Sequence, residues 1–468
     1  MELAKKIEQF IEENKDLYTE ISDQIWDYAE TNYLEYKSAE LLASTLEKNH
    51  FRVTRGAGDI PTAFVAEYGQ GSPVIAILGE YDALFYLSQE PGLAYYKPVE
   101  KGGNGHGCGH NLLGTAGVTS VLAIKKWLQE EGISGTIRYY GCPAEEGGAG
   151  KVHMVNAGLF KDVDLAISWH PATVNSIISR RMIATNRIYY TFKGRASHAG
   201  ASPHLGRSAL DAVELMNIGA NYLREHLIDD TRLHYAITNA GGNSPNVVQH
   251  EAQVQYVLRG PNIGIVHDMV DRVTKIAEGA AMMTETSVER YIDSGTSDLI
   301  PNKPLEELMH KCFQELGTPS YTEEERAFAK QIRSTLSPEE KVSSFDLFED
   351  LLPYEYDAGY MHGSSDVGDV SWTVPTAQCT TACLAMDTTL HTWQVVSQGR
   401  TSVAHKGMLQ AGKVMALTAA RLYQEPDVIA AAKVAHHEEL KDKVYICPIP
   451  DGIGLPDYAK EKKLISTK

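Results

Sequence analysis

The sequence predicts an α/β protein with a mixed, mostly parallel sheet and a smaller ferredoxin-like α+β unit inserted into it. Three observations predict this. Apolar strand-like runs alternate with helical ones up to about residue 186, the rhythm of a largely parallel sheet. From about 187 the order becomes β-α-β-β-α-β, that of a compact ferredoxin-like unit. After Pro301 the α/β rhythm resumes, so the unit is an insertion. A chain of 468 residues is also too long for one core. The expected division is a discontinuous metal-binding catalytic domain, 1–186 with 300–468, and a lid/dimerisation domain, 187–299.

Each element has its own signal. Residues 3–30 carry Leu3, Ile7, Phe10, Ile11, Leu17, Ile21, Ile25 and Tyr28 at helical spacing with acidic residues between. A second helix is expected over 38–49, then strands over 51–54 and 62–68. The run Val74-Ile75-Ala76-Ile77-Leu78 is apolar throughout, as in a strand buried on both faces, and Glu80-Tyr81-Asp82 follows it. A helix over 112–131 leads to a strand over 136–140, a helix over 150–157 and a strand over 165–168 that ends at Trp169-His170. In the insertion, strands are expected over 188–192, 233–238, 252–258 and 287–291, with helices over 208–225 and 266–282. Residues 318–362 are polar and acidic and read as a helical excursion. The apolar run 382–386 reads as a strand, and a helix is expected over 406–423.

Composition narrows the function. A net charge of −18 argues against nucleic acid or an anionic membrane as partner. The first residues contain no apolar signal region, and no run approaches the ~20 apolar residues of a membrane span. The expected location is the cytoplasm. Cysteines 108, 142, 312, 379, 383 and 447 are too scattered for a disulfide framework. Cys108 stands apart because it lies two positions from each of two histidines.

The chemistry concentrates at strand ends. Cys108 and His110 in His106-Gly107-Cys108-Gly109-His110, Glu146 in Glu145-Glu146, and His170 offer a thiolate, two imidazoles and a carboxylate. These groups bind a zinc- or manganese-type divalent ion. Taken alone, the 106–110 run also reads as a glycine-rich turn with incidental histidines; the equivalent placement of Glu146 and His170 favours the metal reading. Glu145, beside a ligand but pointing elsewhere, suits a general base that takes a proton from water. Asp82 either caps a turn or accepts a hydrogen bond that orients an imidazole. Gly147-Gly148-Ala149-Gly150-Lys151 only faintly resembles a phosphate loop: Glu145 stands at the first glycine position and Val152 follows the lysine. No dinucleotide fingerprint is present either. Nucleotide chemistry is not expected.

On these residues the chain resembles peptidase family M20, in its amidohydrolase/aminoacylase branch (subfamily D), over nearly its full length. The resemblance implies an α/β catalytic domain that binds two divalent ions, Mn²⁺ or Zn²⁺, and an inserted lid that dimerises. It implies metal ligands Cys108, His110, Glu146, His170 and, in Leu390-His391-Thr392, His391. Glu145 is the implied base and Asp82 matches the aspartate of the Met-Asp-Ala-Leu segment. In the lid, Gly194-Arg195-Ala196-Ser197-His198-Ala199 carries a histidine, His198, that would reach the partner's active site. Asn246 and Arg259 match the lid's substrate-holding residues. Two departures stand out. Gly363-Ser364-Ser365-Asp366 lacks the carboxylate that relatives often carry at 365. His405 competes with His391 for the last ligand position, and His391 is favoured because it follows the strand-like run 382–386.

The implied activity is hydrolysis of the amide in N-acyl or N-aroyl amino acids, p-aminobenzoyl-glutamate among them. The alternatives are a dipeptidase or general N-acyl-amino-acid hydrolase, and a non-catalytic partner subunit of a heteromeric hydrolase. The expected assembly is a homodimer through the lid, or a heteromer with a related subunit.

Overall fold

The computed structural model describes residues 2–357, 359–450 and 453–460. Helices α1 (Glu2–Glu13), α2 (Lys15–Tyr28) and α3 (Tyr36–Lys48) come first. The helix expected over 3–30 is thus two helices, and Asn14 is the cause. Its side-chain amide donates to Phe10 O at 2.8 Å, the carbonyl an unbroken helix would offer to Asn14 N, which bonds Ile11 O instead.

Strands β1 (Arg52–Arg55), β2 (Phe64–Gln70) and β3 (Val74–Glu80) lead to α4 (His110–Glu131), β4 (Gly135–Cys142), α5 (Gly150–Asn156) and β5 (Leu165–Ala172). Short strands β6 (Ser176–Ile178) and β7 (Arg181–Met182) follow, neither with a signal in the sequence. The main sheet is completed much later by β13 (Thr376–Ala382), in the order β1-β2-β4-β3-β5-β13-β6. Its four central strands, β4, β3, β5 and β13, are parallel, while β1, β2 and β6 join antiparallel at the edges. Every residue of β3 is buried, because helices cover both faces of the sheet.

The inserted unit runs β8 (Ala184–Lys193), α6 (Ala209–Leu223), β9 (Arg232–Asn239), β10 (Glu251–Gly260), α7 (Ile263–Thr284), β11 (Ser287–Thr296). Its antiparallel sheet has the order β11-β8-β10-β9. Burial alternates strictly along β8 and β10, so one face packs on α6 and α7 while Arg187 and Arg259 stand on the other. This unit has its own apolar core around Ile188, Tyr190, Val213, Val254 and Val273. Four corrections concern the remainder of the chain. Helices α8 (Lys303–Leu316) and α9 (Glu323–Ser334) are followed by largely irregular chain to β12 (Tyr360–Met361), so 318–362 is not a helical excursion as a whole. The run 382–386 is not a strand: the sheet strand ends at Ala382, and Cys383 N turns to Ala172 O at 2.8 Å. After α10 (Val367–Thr373) and α11 (Trp393–Gln398), the helix expected over 406–423 begins earlier, as α12 (Ser402–Gln424). It is followed by α13 (Pro426–Leu440), which the sequence reading did not identify. Helix α12 packs beside α4 on one face of the main sheet, in the largest apolar core.

Candidate metal centre

The carboxyl ends of β3, β4 and β5 bring Glu80, the Glu145-Glu146 turn and His170 to one spot, where Cys108 and His110 join them at the start of α4. Gly109, in the left-handed region at φ +74°, turns the chain into α4 so that His110 is its first residue. His110 is fully buried. Its Nδ1 donates to Asp82 Oδ1 at 2.9 Å, because a carboxylate only accepts, and Asp82 Oδ2 in turn accepts from Glu146 N at 2.9 Å. That places one proton on Nδ1 and turns Nε2 toward Glu80. Burial lowers the His110 imidazole, but Cys108 and Asp82 outweigh it and hold it well above its ordinary range until a cation takes the place of the second proton. His170 is set the same way by backbone: its Nδ1 lies 2.8 Å from Pro171 O, and its Nε2 is 3.4 Å from Cys108 Sγ. Both imidazoles thus hold Nδ1 in a hydrogen bond and turn Nε2 inward, the arrangement that ligating histidines show.

His391 reaches the spot from a loop beyond β13. It holds a left-handed backbone (φ +64°) anchored by His391 N donating to Gly107 O at 2.8 Å, and its Nε2 is 3.3 Å from Glu146 Oε2. Donor atoms of Cys108, His110 and His170 all lie within 4.8 Å of one another, as do those of Cys108, Glu146 and His391. Cys108 belongs to both groups. A third group at the same spacing joins Glu80, His110 and Glu145.

The electrostatics call for positive charge here. His110 Nε2 and Glu146 Oε1 are buried without a hydrogen-bond partner among the described residues, 4.0 Å apart, and Glu80 Oε2 is 3.2 Å from the same nitrogen. A lone pair facing two carboxylates is tolerable only with a proton or a cation between them. Burial followed by the charges of Glu80, Asp366 and Glu146 pushes the Glu145 carboxyl well up. Burial and Glu146 likewise raise the Cys108 thiol. Burial and His110 lower His170 to about 4, keeping it neutral. A divalent ion would satisfy the orphaned atoms and reverse the penalty on the thiolate. The donor set of thiolate, imidazoles and carboxylate fits such an ion.

Other expected residues are placed elsewhere. His405 is on α12, its Nε2 2.9 Å from Asp23 Oδ1, and is not among the clustered donors. His198 and Asn246 are exposed neighbours in the inserted unit: Ala199 N donates to Asn246 O, and His198 Nδ1 accepts from Gly200 N and Ala201 N at 3.1 and 3.0 Å. Arg259 reaches back toward the catalytic side, 3.3 Å from Ser364 Oγ.

A buried ionic network beside the centre was not foreseen. Lys151 Nζ lies 2.6 Å from both Glu80 Oε1 and Asp366 Oδ1, and all three side chains are at most 2% exposed. Burial opposes the Lys151 charge, but Asp366 and Glu80 outweigh it and hold the ammonium well above its ordinary range. The available signal was Glu80 itself, a carboxylate closing an otherwise apolar strand.

Residues 76–340 match the family model for peptidase family M20/M25/M40. The chain belongs to that family. It is 49% identical to one of the subunits of p-aminobenzoyl-glutamate hydrolase from Escherichia coli, over 97% of this chain and 98% of that protein. The Xaa-Arg dipeptidase of Mus musculus is 27% identical over 92% of this chain and 91% of its own. Among solved structures, a putative aminohydrolase from methicillin-resistant Staphylococcus aureus superposes with a TM-score of 0.63 at 16% identity, covering 89% of this chain and 99% of that one. This M20 chain thus shares its fold with distant structures and most of its length with a named hydrolase component.

Proposed function

We propose that this M20 chain is a cytoplasmic two-metal amidohydrolase that cleaves the amide of N-aroyl or N-acyl amino acids, with p-aminobenzoyl-glutamate as its substrate. The observation that carries the chemistry is the sharing of Cys108 between two donor groups, with Glu145 alongside. Cys108, His110 and His170 would hold one divalent ion, and Cys108, Glu146 and His391 the other. Such ions lower the pKa of a water and polarise a carbonyl. Cys108 favours zinc, while the carboxylate and imidazoles equally suit Mn²⁺.

Within the chain, Asp82 orients His110 and the backbone of Glu146 together. Glu145 takes a proton from the attacking water and passes it to the leaving amine. Arg259 pairs with the substrate carboxylate, for which a planar guanidinium is suited. The inserted unit serves as a lid and dimer interface. His198, exposed and away from its own chain's donors, would hydrogen-bond the tetrahedral oxyanion in the partner's site, with Asn246 beside it holding the substrate there. The substrate follows from the 49% identical relative, whose name specifies it.

The test is hydrolysis of p-aminobenzoyl-glutamate by the purified chain with Mn²⁺ or Zn²⁺ added. Glu145→Gln is expected to keep its metals while kcat falls ~10²–10⁴-fold. Because that relative is named as one component of its enzyme, the same assay includes a related chain as second component: activity only in the mixture would make the working enzyme a heteromer. Inactivity in both arms would overturn the substrate.

A further inference from the structure

We propose that Glu35 is a positioning residue for the base, holding the turn that carries Glu145 through hydrogen bonds and not through its charge. The inference rests on Glu145 being the base. Glu145 sits on a turn flanked by two non-glycine residues in the left-handed region, Ala144 at φ +56° and Ala149 at φ +55°. Such backbone persists only where the surroundings over-determine it. Here the N-terminal segment 29–35 does so.

Glu35 is fully buried. Its Oε1 accepts from Tyr33 N at 2.9 Å and from Ala144 N at 3.1 Å, and its Oε2 accepts from Thr62 Oγ1 at 3.1 Å. Thr62 is itself fixed, its carbonyl accepting from Tyr81 OH at 2.6 Å. At the far side of the turn the fully buried Tyr33 donates through its hydroxyl to Gly148 O at 2.5 Å. The tyrosine ring lies so close that a Cβ on Gly148 would come within 2.2 Å of it. The same segment braces the other site loops: Glu30 O accepts from Ala83 N at 2.7 Å, and Ala29 O accepts from Asn104 Nδ2 at 3.2 Å. The Glu146 backbone has a second anchor of its own, Asp82 Oδ2. The brace from Glu35 therefore bears on Glu145 more than on the metal donors.

All three groups facing Glu35 donate, so the position needs an acceptor. Glutamine also satisfies it: the amide oxygen takes both N–H groups, and the amide nitrogen donates to Thr62 Oγ1, which accepts as readily as it donates. Charge and geometry are thereby separable.

The experiment measures kcat, KM and bound metal for Glu35→Ala and Glu35→Gln, each alone and combined with Glu145→Gln. Glu35→Ala is expected to lower kcat about 10- to 100-fold with KM and metal content unchanged, the scale set by a misplaced catalytic group. Glu35→Gln is expected to restore most of that loss. In the Glu145→Gln background, Glu35→Ala is expected to cost nothing further, since residues acting as a unit are not additive. Three results would overturn the proposal: equal losses from Gln and Ala, metal lost in parallel with activity, or an undiminished loss in the Glu145→Gln background. If Glu35→Ala does not fold, Tyr33→Phe, which removes only the Gly148 contact, carries the same comparison with a smaller expected loss. Full activity in Glu145→Gln alone would instead refute the base assignment, a distinct outcome.

Discussion

Cys108 has a histidine two residues to either side, yet only one of them joins it. His106 turns inward, where its Nε2 contacts Ile25 O at 3.0 Å, while His110 opens α4 and meets the thiol. The sequence already points to His110 and not to His106; the physical basis of that asymmetry is the left-handed Gly109, which turns the chain into α4. For the last ligand position the sequence favours His391 over His405, but on a strand over 382–386 that the chain does not form, since β13 ends at Ala382. Because His391 lies against Glu146 and His405 against Asp23, His391→Ala is expected to remove one of two bound ions and most activity, whereas His405→Ala should change only stability, by about 1 kcal/mol as for a single surface-side hydrogen bond. Titrating metal content against each variant checks this. A pH effect belongs at this scale too. His106 and His170 are each lowered to about 4 from 6.5, burial being the main cause. For these two imidazoles the unfolded chain binds protons first, so their own contribution to the stability of the metal-free protein is fully present above pH 6.5 and is lost as pH falls toward 4, while the raised His110 and Glu145 act in the opposite sense. Denaturant midpoints of the metal-free parent compared with His106→Gln across that range isolate the His106 contribution: the parent should lose more stability than the variant as pH falls from 6.5 toward 4.

Elements announced themselves where burial left no alternative. The run 74–78 is apolar at every position, and β3 is buried at every position. Period-two burial in β8 and β10 was similarly legible. Tertiary choices were not. The sheet extends β5 past His170 because Pro171 and Ala172 pair with Thr381 and Ala382, so His170 lies within the strand instead of beyond it. Lys151 looked like the remnant of a loop motif; in fact it ties the start of α5 to the end of β3 and to the start of α10 through Glu80 and Asp366. No local pattern marks a lysine as buried, since its two partners lie 71 and 215 residues away. Removing the cation from such a network leaves buried carboxylates uncompensated. Lys151→Met should thus destabilise the fold by about 3–5 kcal/mol, with Asp366→Asn in the same chain recovering part of it. Equal stability of Lys151→Met and the parent in chemical denaturation would contradict a structural role for the pair.

At the scale of the whole molecule, the inserted unit sends its polar residues in two directions. Arg259 contacts Ser364, outside the unit, whereas the contacts of His198 and Asn246 are with neighbours inside it. If His198 serves a partner's site, inactive His198→Ala and Glu145→Gln proteins should regain activity when their protomers exchange. A mixed dimer then contains up to one site with an intact base and an incoming wild-type histidine. Activity that stays at the level of the separate variants, with exchange verified by mass, would place His198 outside catalysis or in its own chain's site.

Cys108 would serve both proposed ion sites, and the metal stoichiometry of Cys108→Ala tests that most directly. The parent chain should hold two divalent ions and hydrolyse p-aminobenzoyl-glutamate. Cys108→Ala should lose affinity for both ions together and lose turnover, with its folded structure retained by circular dichroism. Two ions still bound at full turnover in Cys108→Ala would contradict the shared-ligand centre.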